Sequence, residues 1–552
     1  MKKPQGTAPD NARHVKTPKI DKENYRRIQV MPVNMTVPKW LPEEPIIARS
    51  KITETIDTEL LVAGAGISGL TATATAAECG IKTLLIELNK RCTPVRMEIG
   101  AVGSRIQKEE NNFIDIHELV RELAMYSSAY TDQRLLYIWA RESGEAIDWY
   151  ESIIKDHGAV LTLQGGYHME VKNGSYTKFP TGHLVWWPKG VSGAKILCDY
   201  SKKHGAEIRM ETALVKLIKE EKRVTGAIVR DVPTGRYIRV NASKGVIVST
   251  GGYIKNKKML SILQPETVAL SGLTISESGK MGDGINACLW AGAKMDDRHL
   301  SIMFDRCALM PNETPKNRKK LGQPTELIAQ PFLKVDLTGR RFCNESQPYD
   351  FIIHRAANLP GKCYCVVFDS EYEEDARRFE MAGCSRMFPF NNGTPCVRSI
   401  ELNKSCMQKM LREARIVQAD TIGALAGKMG LPPAELEKTV ARYNELYDKQ
   451  CDEDFGKEPQ RLSQMRRPPY YGVRACAFLL GTLDGVKIDE NMTALDENCE
   501  PIPGLYVCGN DSGSFFANTY TNLATGCCAG RNMTFARRAA HIIAGKKNCT
   551  GD

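Results

Sequence analysis

Three glycines and one acid offer the first chemistry in this sequence. Residues Thr58 to Asn89 read TELLVAGAGISGLTATATAAECGIKTLLIELN, with Gly64, Gly66 and Gly69 in the order G-x-G-x-x-G. Each glycine has a task in such a turn. Gly64 permits the tight turn, Gly66 lets the backbone approach a pyrophosphate, and Gly69 lets the helix lie close to the strand. The N–H groups at the helix start, around Ser68, then stabilise phosphate charge. Glu87 follows where a ribose-binding acid belongs, about 20 residues on. Strand, glycines, helix, strand and acid occur in order, so the segment reads as a dinucleotide site. The fingerprint by itself leaves FAD and NAD open.

A second chemistry sits at NESQPYD, Asn344 to Asp350, which closes the run DLTGRRFCNE. Its tyrosine, Tyr349, has an ordinary pKa of about 10, so at neutral pH it is a proton donor. A second tyrosine, Tyr520, lies in ANTYTNLATG near the C-terminus, six residues before Gly526.

The elements that position these residues can be read from pattern. ELLVA and TLLIE are short buried strands around an Ala-rich helix. Residues 213 to 252 look like antiparallel strands returning to a buried strand, VIVST, that ends at Gly251 and Gly252. PIPGLYVCGND, Pro501 to Asp511, is another buried strand, ending at Gly509 and Asn510. AELEKTVARYNELYDK, Ala434 to Lys449, has helical periodicity without internal Gly or Pro. GALAGKMG, Gly423 to Gly430, reads as a helix end, and LVWWPKG, Leu184 to Gly190, as core or as the wall of an apolar pocket. His117, His168 and His183 have no metal-ligand spacing, and no metal site is expected.

At 552 residues, 42% apolar and 25% charged, the chain has the composition of a soluble globular protein of two or more domains. No apolar run is long enough to span a bilayer, and the N-terminus lacks a signal core, which places the protein in the cytoplasm. The first 51 residues hold 11 Lys+Arg against 5 Asp+Glu, so 11 − 5 = +6 of the formal +10 lies in a basic arm. The remainder is weakly basic, which argues against nucleic-acid binding. None of the 18 cysteines forms a C-x-x-C pair, so zinc ribbons and ferredoxin-type clusters have no framework. Scattered thiols point to a reducing compartment, compatible with an anaerobic host.

The three glycine-ended segments together resemble the FAD flavoproteins that include fumarate reductase and 3-ketosteroid dehydrogenase. GDGINACLWAGAKMDD (Gly282 to Asp297), DFGKEPQRLSQMRRPPYY (Asp454 to Tyr471) and GTLDGVKID (Gly481 to Asp489) extend the likeness over residues 55 to 545. The resemblance implies an α/β fold: a Rossmann-like, glutathione-reductase-type FAD domain with an inserted α+β substrate or cap domain. The FAD domain would comprise 55–298 and 475–552, the cap 299–474, and the basic arm 1–54. FAD would bind non-covalently, with Gly64, Gly66, Ser68, Gly69, Glu87, Gly100, Val215, Gly251, Gly509 and Asn510 as its candidate contacts. CTPVRMEIGAVGSRIQK departs from the family's glycine–serine pattern, so Gly100, Gly103 and Ser104 are candidates by position only.

The resemblance also distinguishes two chemistries. Fumarate-reducing members carry an arginine as proton donor four residues after the Glu of G-x-R-F-x-N-E; here Tyr349 stands there. The ketosteroid branch has N-E-S-x-P-Y at that point. Gly481 replaces a histidine of the fumarate enzymes, and ANTYTNLATG has no arginine where they have one. A dicarboxylate needs such cations; an apolar enone does not. The expectation is reduction of a 3-oxo-steroid or bile-acid-like enone. Tyr349 transfers the proton, and Tyr520, helped by a backbone N–H near Gly526, meets the carbonyl oxygen. The longer YTNLATGCCAG replaces the family's Y-P-G-P-G. The alternatives are the same chemistry run as a dehydrogenase, reduction of another activated alkene such as an aryl acrylate, and an electron-transfer flavoprotein subunit. With no second dinucleotide fingerprint, haem motif or cluster motif, a separate electron donor or acceptor is expected. Oligomeric state is left open.

Overall fold

The computed structural model describes residues 38–163, 179–274, 279–379 and 400–546. Residues 1–39 form a unit of their own, and residues 40–552 form a second, to which everything below refers. His168 lies outside the described residues.

Two large sheets organise the described residues. The first has eight strands. Its main path runs Thr493–Leu495, Pro501–Val507, Tyr237–Val248, Ile52–Ala63, Thr83–Ile86, Glu207–Arg209. Ile52–Ala63 is parallel to both of its neighbours, pairing Val62 with Leu85 on one side and with Ile247 on the other. Pro501–Val507 continues the parallel set beside Tyr237–Val248. Parallel strands must be covered on both faces, which is why LLVA and VIV are apolar at every position and fully buried. The Ala-rich helix Ile67–Glu78 packs on Cys527–Ile543 and on Gly193–Lys203. Its small side chains permit that close packing. The antiparallel hairpin Thr212–Glu220/Arg223–Asp231 joins the sheet through Tyr237–Val248.

The second sheet has seven strands centred on the long strand Tyr470–Thr482. Ser301–Leu309, Tyr364–Phe368 and Ile416–Ala419 pair with it antiparallel, and Ser271–Thr274 pairs with it in parallel. The helix expected over 434–449 is Pro433–Lys449. GALAGKMG forms the helix Ile422–Met429, which Gly430 ends at φ +67°. A third, three-stranded antiparallel sheet holds Glu98–Gly100, Gly182–Trp186 and Val160–Leu163. LVW belongs to its central strand and is buried. The fold is therefore α/β with parallel and antiparallel sheets. Among the described residues, no helix is long and apolar enough to cross a membrane.

Candidate active site

The glycine turn follows directly from Ala63. Gly64 has φ +104°, and an added Cβ would stand 2.4 Å from the Ser249 carbonyl oxygen. At Gly69 an added Cβ would stand 1.7 Å from the Gly64 carbonyl oxygen, so the helix lies on its own turn. Gly66 differs: a Cβ there meets nothing within 4 Å. Gly66 is the N-cap of Ile67–Glu78, so this space opens at a helix N-terminus, where a phosphate is stabilised. Glu87 braces the turn. Its Oε2 accepts from the Ala65 N–H at 2.7 Å, and its Oε1 accepts from the Asn89 N–H at 2.9 Å and the Asn89 amide at 2.8 Å.

The other strand ends converge on this turn. Gly251 (φ +99°) and Gly252 (φ +77°) end the strand beside it. The Asp511 carboxylate ties that end to the next strand. It accepts from the N–H groups of Thr250, Gly251 (3.2 Å) and Gly252 (2.8 Å). Burial pushes the Asp511 carboxyl up, against the pull of these donors. Gly509 packs on Ser68, whose hydroxyl would lie 2.9 Å from an added Cβ. That hydroxyl donates to the Asn532 carbonyl at 3.0 Å. Asn510 accepts from the Asn532 amide at 2.9 Å. Gly100 donates its N–H to the Gly526 carbonyl at 2.8 Å. Gly530 lies on it so closely that a Cβ would be 1.7 Å from the Gly100 oxygen.

Gly64, Gly66, Ser68, Gly69, Glu87, Gly251, Gly509 and Asn510 are thus brought to one end of the sheet, and Gly100 packs on the start of helix Cys527–Ile543. Val215 is set on the hairpin, where the register skips it between Leu214 and Lys216. Thr212, which starts that strand, donates its N–H to the Glu87 carbonyl at 2.7 Å. Gly103 has φ +75° and open space around it. Ser104 is engaged in a capping box with Gln107 and bonds His183 Nε2 at 2.7 Å. His183 is fully buried, and burial pushes its pKa down to about 4. His117 contacts the Tyr137 hydroxyl at 3.0 Å.

Tyr349 is fixed from behind by charge. Arg341 grips Glu345 with two bonds, at 2.8 and 2.9 Å, and Asp452 with two more, at 3.0 and 2.8 Å. Lys457 Nζ adds a contact to Glu345 at 3.4 Å and donates to the Tyr443 hydroxyl at 2.6 Å. This explains the spacing in GRRFCNE: Arg and Glu four residues apart lock the loop that delivers Tyr349. Tyr349 opens the helix Tyr349–Ala356 and is 2% exposed. Its ring lies 4.8 Å from that of Phe304 on strand Ser301–Leu309, and Phe304 in turn meets Phe478 at 5.5 Å.

Tyr520 is buried beside Phe516, with ring centres 5.5 Å apart. Its hydroxyl accepts from the Cys528 N–H at 3.4 Å. That donor sits two residues beyond Gly526, the N-cap of helix Cys527–Ile543. At Gly481 an added Cβ would stand 3.0 Å from the Asn510 amide nitrogen.

Sequence reasoning missed Asp350 and Thr519. Asp350 is 1% exposed and accepts from the Tyr126 hydroxyl and from Thr519 Oγ1. The available signal was adjacency, since one follows Tyr349 and the other precedes Tyr520.

The FAD binding domain family model matches residues 59–525. The vinyl phenol reductase of Lactiplantibacillus plantarum is 26% identical over 486 residues, 86% of this chain and 93% of that enzyme. A 3-oxosteroid 1-dehydrogenase of Mycobacterium tuberculosis is 30% identical over 370 residues, 62% of this chain and 60% of that enzyme. Among solved structures, the 3-ketosteroid-Δ4-(5α)-dehydrogenase of Rhodococcus jostii RHA1 superposes with a TM-score of 0.67 at 20% identity. That superposition covers 91% of this chain and 99% of the other. The residues fit FAD. Gly66 leaves the cradle a pyrophosphate needs, and Asn532 Oδ1, beside Asn510, is buried without a protein donor.

Proposed function

The chain belongs to the family of the FAD binding domain, and from that premise we propose that it reduces the C=C bond of an enone, best a 3-oxo-steroid or bile-acid-like one. It is an FAD-dependent oxidoreductase of the class acting on CH–CH groups. FAD, when bound, supplies the hydride for the carbon β to the carbonyl. Tyr349 holds the proton for the α carbon, a tyrosine of ordinary pKa being protonated at neutral pH. Tyr520 donates to the carbonyl oxygen, where charge develops in the transition state. The Cys528 N–H bonded to the Tyr520 hydroxyl strengthens that donor. Residues 299–474 form a cap over the FAD domain in this reading. Electrons come from a separate donor, and the protein works in the cytoplasm.

One observation carries the reading. Asp350 and Thr519, 169 residues apart, are hydrogen-bonded, and each is next to one of the two tyrosines. Phe304, Phe478 and Phe516 surround these tyrosines with apolar surface, which suits a large enone better than a dicarboxylate. A second reading is an aryl alkene. It is favoured by Arg306, whose guanidinium lies 4.4 Å above the Phe304 ring, and by the likeness to vinyl phenol reductase.

The test is anaerobic. Dithionite-reduced protein is mixed with a 3-oxo-Δ4-steroid, with 4-hydroxycinnamate or with fumarate, and flavin absorbance is followed. Reoxidation by the steroid supports the first reading and by the cinnamate the second, whereas reoxidation by fumarate alone refutes both. Tyr349→Phe lowers the rate by orders of magnitude while FAD stays bound; near-normal turnover in that variant removes Tyr349 from the chemistry.

A further inference from the structure

Two hydroxyls from distant parts of the chain close on one buried carboxylate. Tyr126, the last residue of helix Ile116–Tyr126, donates at 3.0 Å from both oxygens of Asp350. Thr519 donates to Oδ2 of the same carboxylate. Among the described residues no arginine or lysine is bonded to it, and burial pushes the carboxyl up to about 7.

The loop that carries Tyr520 has further anchors, two of them on the segment just after Tyr126. The Ser514 carbonyl accepts from the Asp132 N–H at 2.8 Å, and the Asn518 amide donates to the Ser127 carbonyl at 3.1 Å. Asn518 has φ +61°, and the Thr519 N–H donates to the Ala517 carbonyl at 2.7 Å. The chain therefore turns sharply just before Thr519. The Tyr126 ring stacks on Phe351 at 4.8 Å. Asp350 is the point at which this assembly crosses to the helix that begins with Tyr349.

We infer that Asp350 is a positioning residue whose bonds to Thr519 and Tyr126 set the spacing between the Tyr349 and Tyr520 hydroxyls. The inference rests on the reading of those two tyrosines as substrate-touching groups. Asp350 lies in the first turn of its helix, so holding its carboxylate holds the backbone of Tyr349. Thr519 does the same for Tyr520. A proton donor and a carbonyl donor must address two neighbouring atoms of one substrate, and misplacement by about 1 Å costs up to ~100-fold in rate. The Asp350 carboxyl accepts from both hydroxyls, from Tyr126 at either oxygen and from Thr519 at Oδ2.

The experiment uses FAD-loaded, dithionite-reduced protein mixed with a 3-oxo-Δ4-steroid and, in parallel, with 4-hydroxycinnamate. Thr519→Val, Thr519→Ser, Asp350→Ala and the double variant Asp350→Ala/Thr519→Val are compared. Thr519→Val removes the bond at nearly constant shape. It should lower the saturating rate about tenfold or more while the half-saturating concentration stays within about twofold. Thr519→Ser should restore the rate to within about twofold, because the hydroxyl returns. The double variant should be no slower than Asp350→Ala, since both changes break one bond. If Asp350→Ala does not hold FAD, the Val and Ser variants decide the matter alone.

A Thr519→Val rate within about twofold of wild type overturns the inference, as do multiplying effects in the double variant. Tyr349→Phe separates the two levels. If it is inactive while Thr519→Val is normal, only the positioning role falls. If Tyr349→Phe turns over normally, or neither alkene reacts with wild type, the tyrosine reading fails and the positioning role with it.

Discussion

Two buried carboxylates flank Tyr349, and they are held in opposite ways. Glu345, on the N-terminal side, is bonded to Arg341 and contacts Lys457. Burial pushes its carboxyl up, but the Lys457 and Arg341 charges outweigh this and hold it below the usual carboxylate range. Asp350, on the other side, has hydroxyl partners, and its carboxyl is pushed up to about 7. Charge pairing makes the first side a fixed frame. The second side is held by hydroxyl groups, which carry no charge of their own. Tyr349 therefore lies between a side pinned by ion pairs and a side pinned by hydroxyl hydrogen bonds.

The largest effect expected from breaking this contrast is at Arg341. Arg341→Met leaves Glu345 and Asp452 buried without their shared cation. Removing one partner of a buried pair costs about 3–5 kcal/mol. Urea unfolding of the FAD-loaded protein measures it. A loss under about 1 kcal/mol, the size of an exposed pair, would mean that the frame is held by packing instead. Asp452 adds a pH signature. Burial opposes its ionisation, yet Arg341 and backbone donors bring its pKa down to about 2. Its stabilising contribution is therefore complete above about pH 4 and is lost as pH falls through about 2. Arg341→Met should lose that acid limb.

Next in size is the pH dependence on the Asp350 side, where the sign is reversed. A folded pKa of about 7 lies above the ordinary value of 3.8. The folded state keeps a proton that the unfolded state has released. Stability from this group is full below about pH 4 and is lost as pH rises through about 7. Asp350→Asn should flatten the decline of thermal stability between those limits. The change in slope is at most about 1.4 kcal/mol per pH unit, one proton's worth. Asp296, raised by burial to about 7, and Asp375, to about 6, stay in place, so some slope persists. An unchanged slope would mean that the Asp350 carboxyl is ionised in the folded protein throughout this range.

How legible the two sides were in sequence follows from chain distance. The Arg341–Glu345 grip lies within GRRFCNE, and the glycine turn with Glu87 lies within one strand–helix–strand unit, so both could be read from spacing. The helix Pro433–Lys449 declared itself by periodicity over four turns. The Asp350–Thr519 bond spans 169 residues, and neither residue type is distinctive in a buried site until the fold joins them. A backbone N–H was expected near Gly526 for Tyr520, and the Cys528 N–H, two residues on, donates to its hydroxyl at 3.4 Å. The parallel pairing of Ser271–Thr274 with Tyr470–Thr482 also left no local trace, since parallel partners share no turn.

The smallest effect sharpens the contrast at the surface of the Asp350 side. Phe351 is 36% exposed, yet its ring stacks on Tyr126 at 4.8 Å. Such an aromatic pair contributes about 0.5–1.5 kcal/mol beyond area burial. Phe351→Leu keeps most of the apolar area and loses the stack, so global stability should fall by about 1 kcal/mol or less. Local consequences should exceed global ones, because the stack holds the Tyr126 hydroxyl against Asp350. Amide hydrogen exchange in 123–132 and 514–520 should therefore accelerate, with little change around 341–345, where the Arg341 pairs hold the chain. Equal acceleration on both sides of Tyr349 would show that the two carboxylates belong to one cooperative unit.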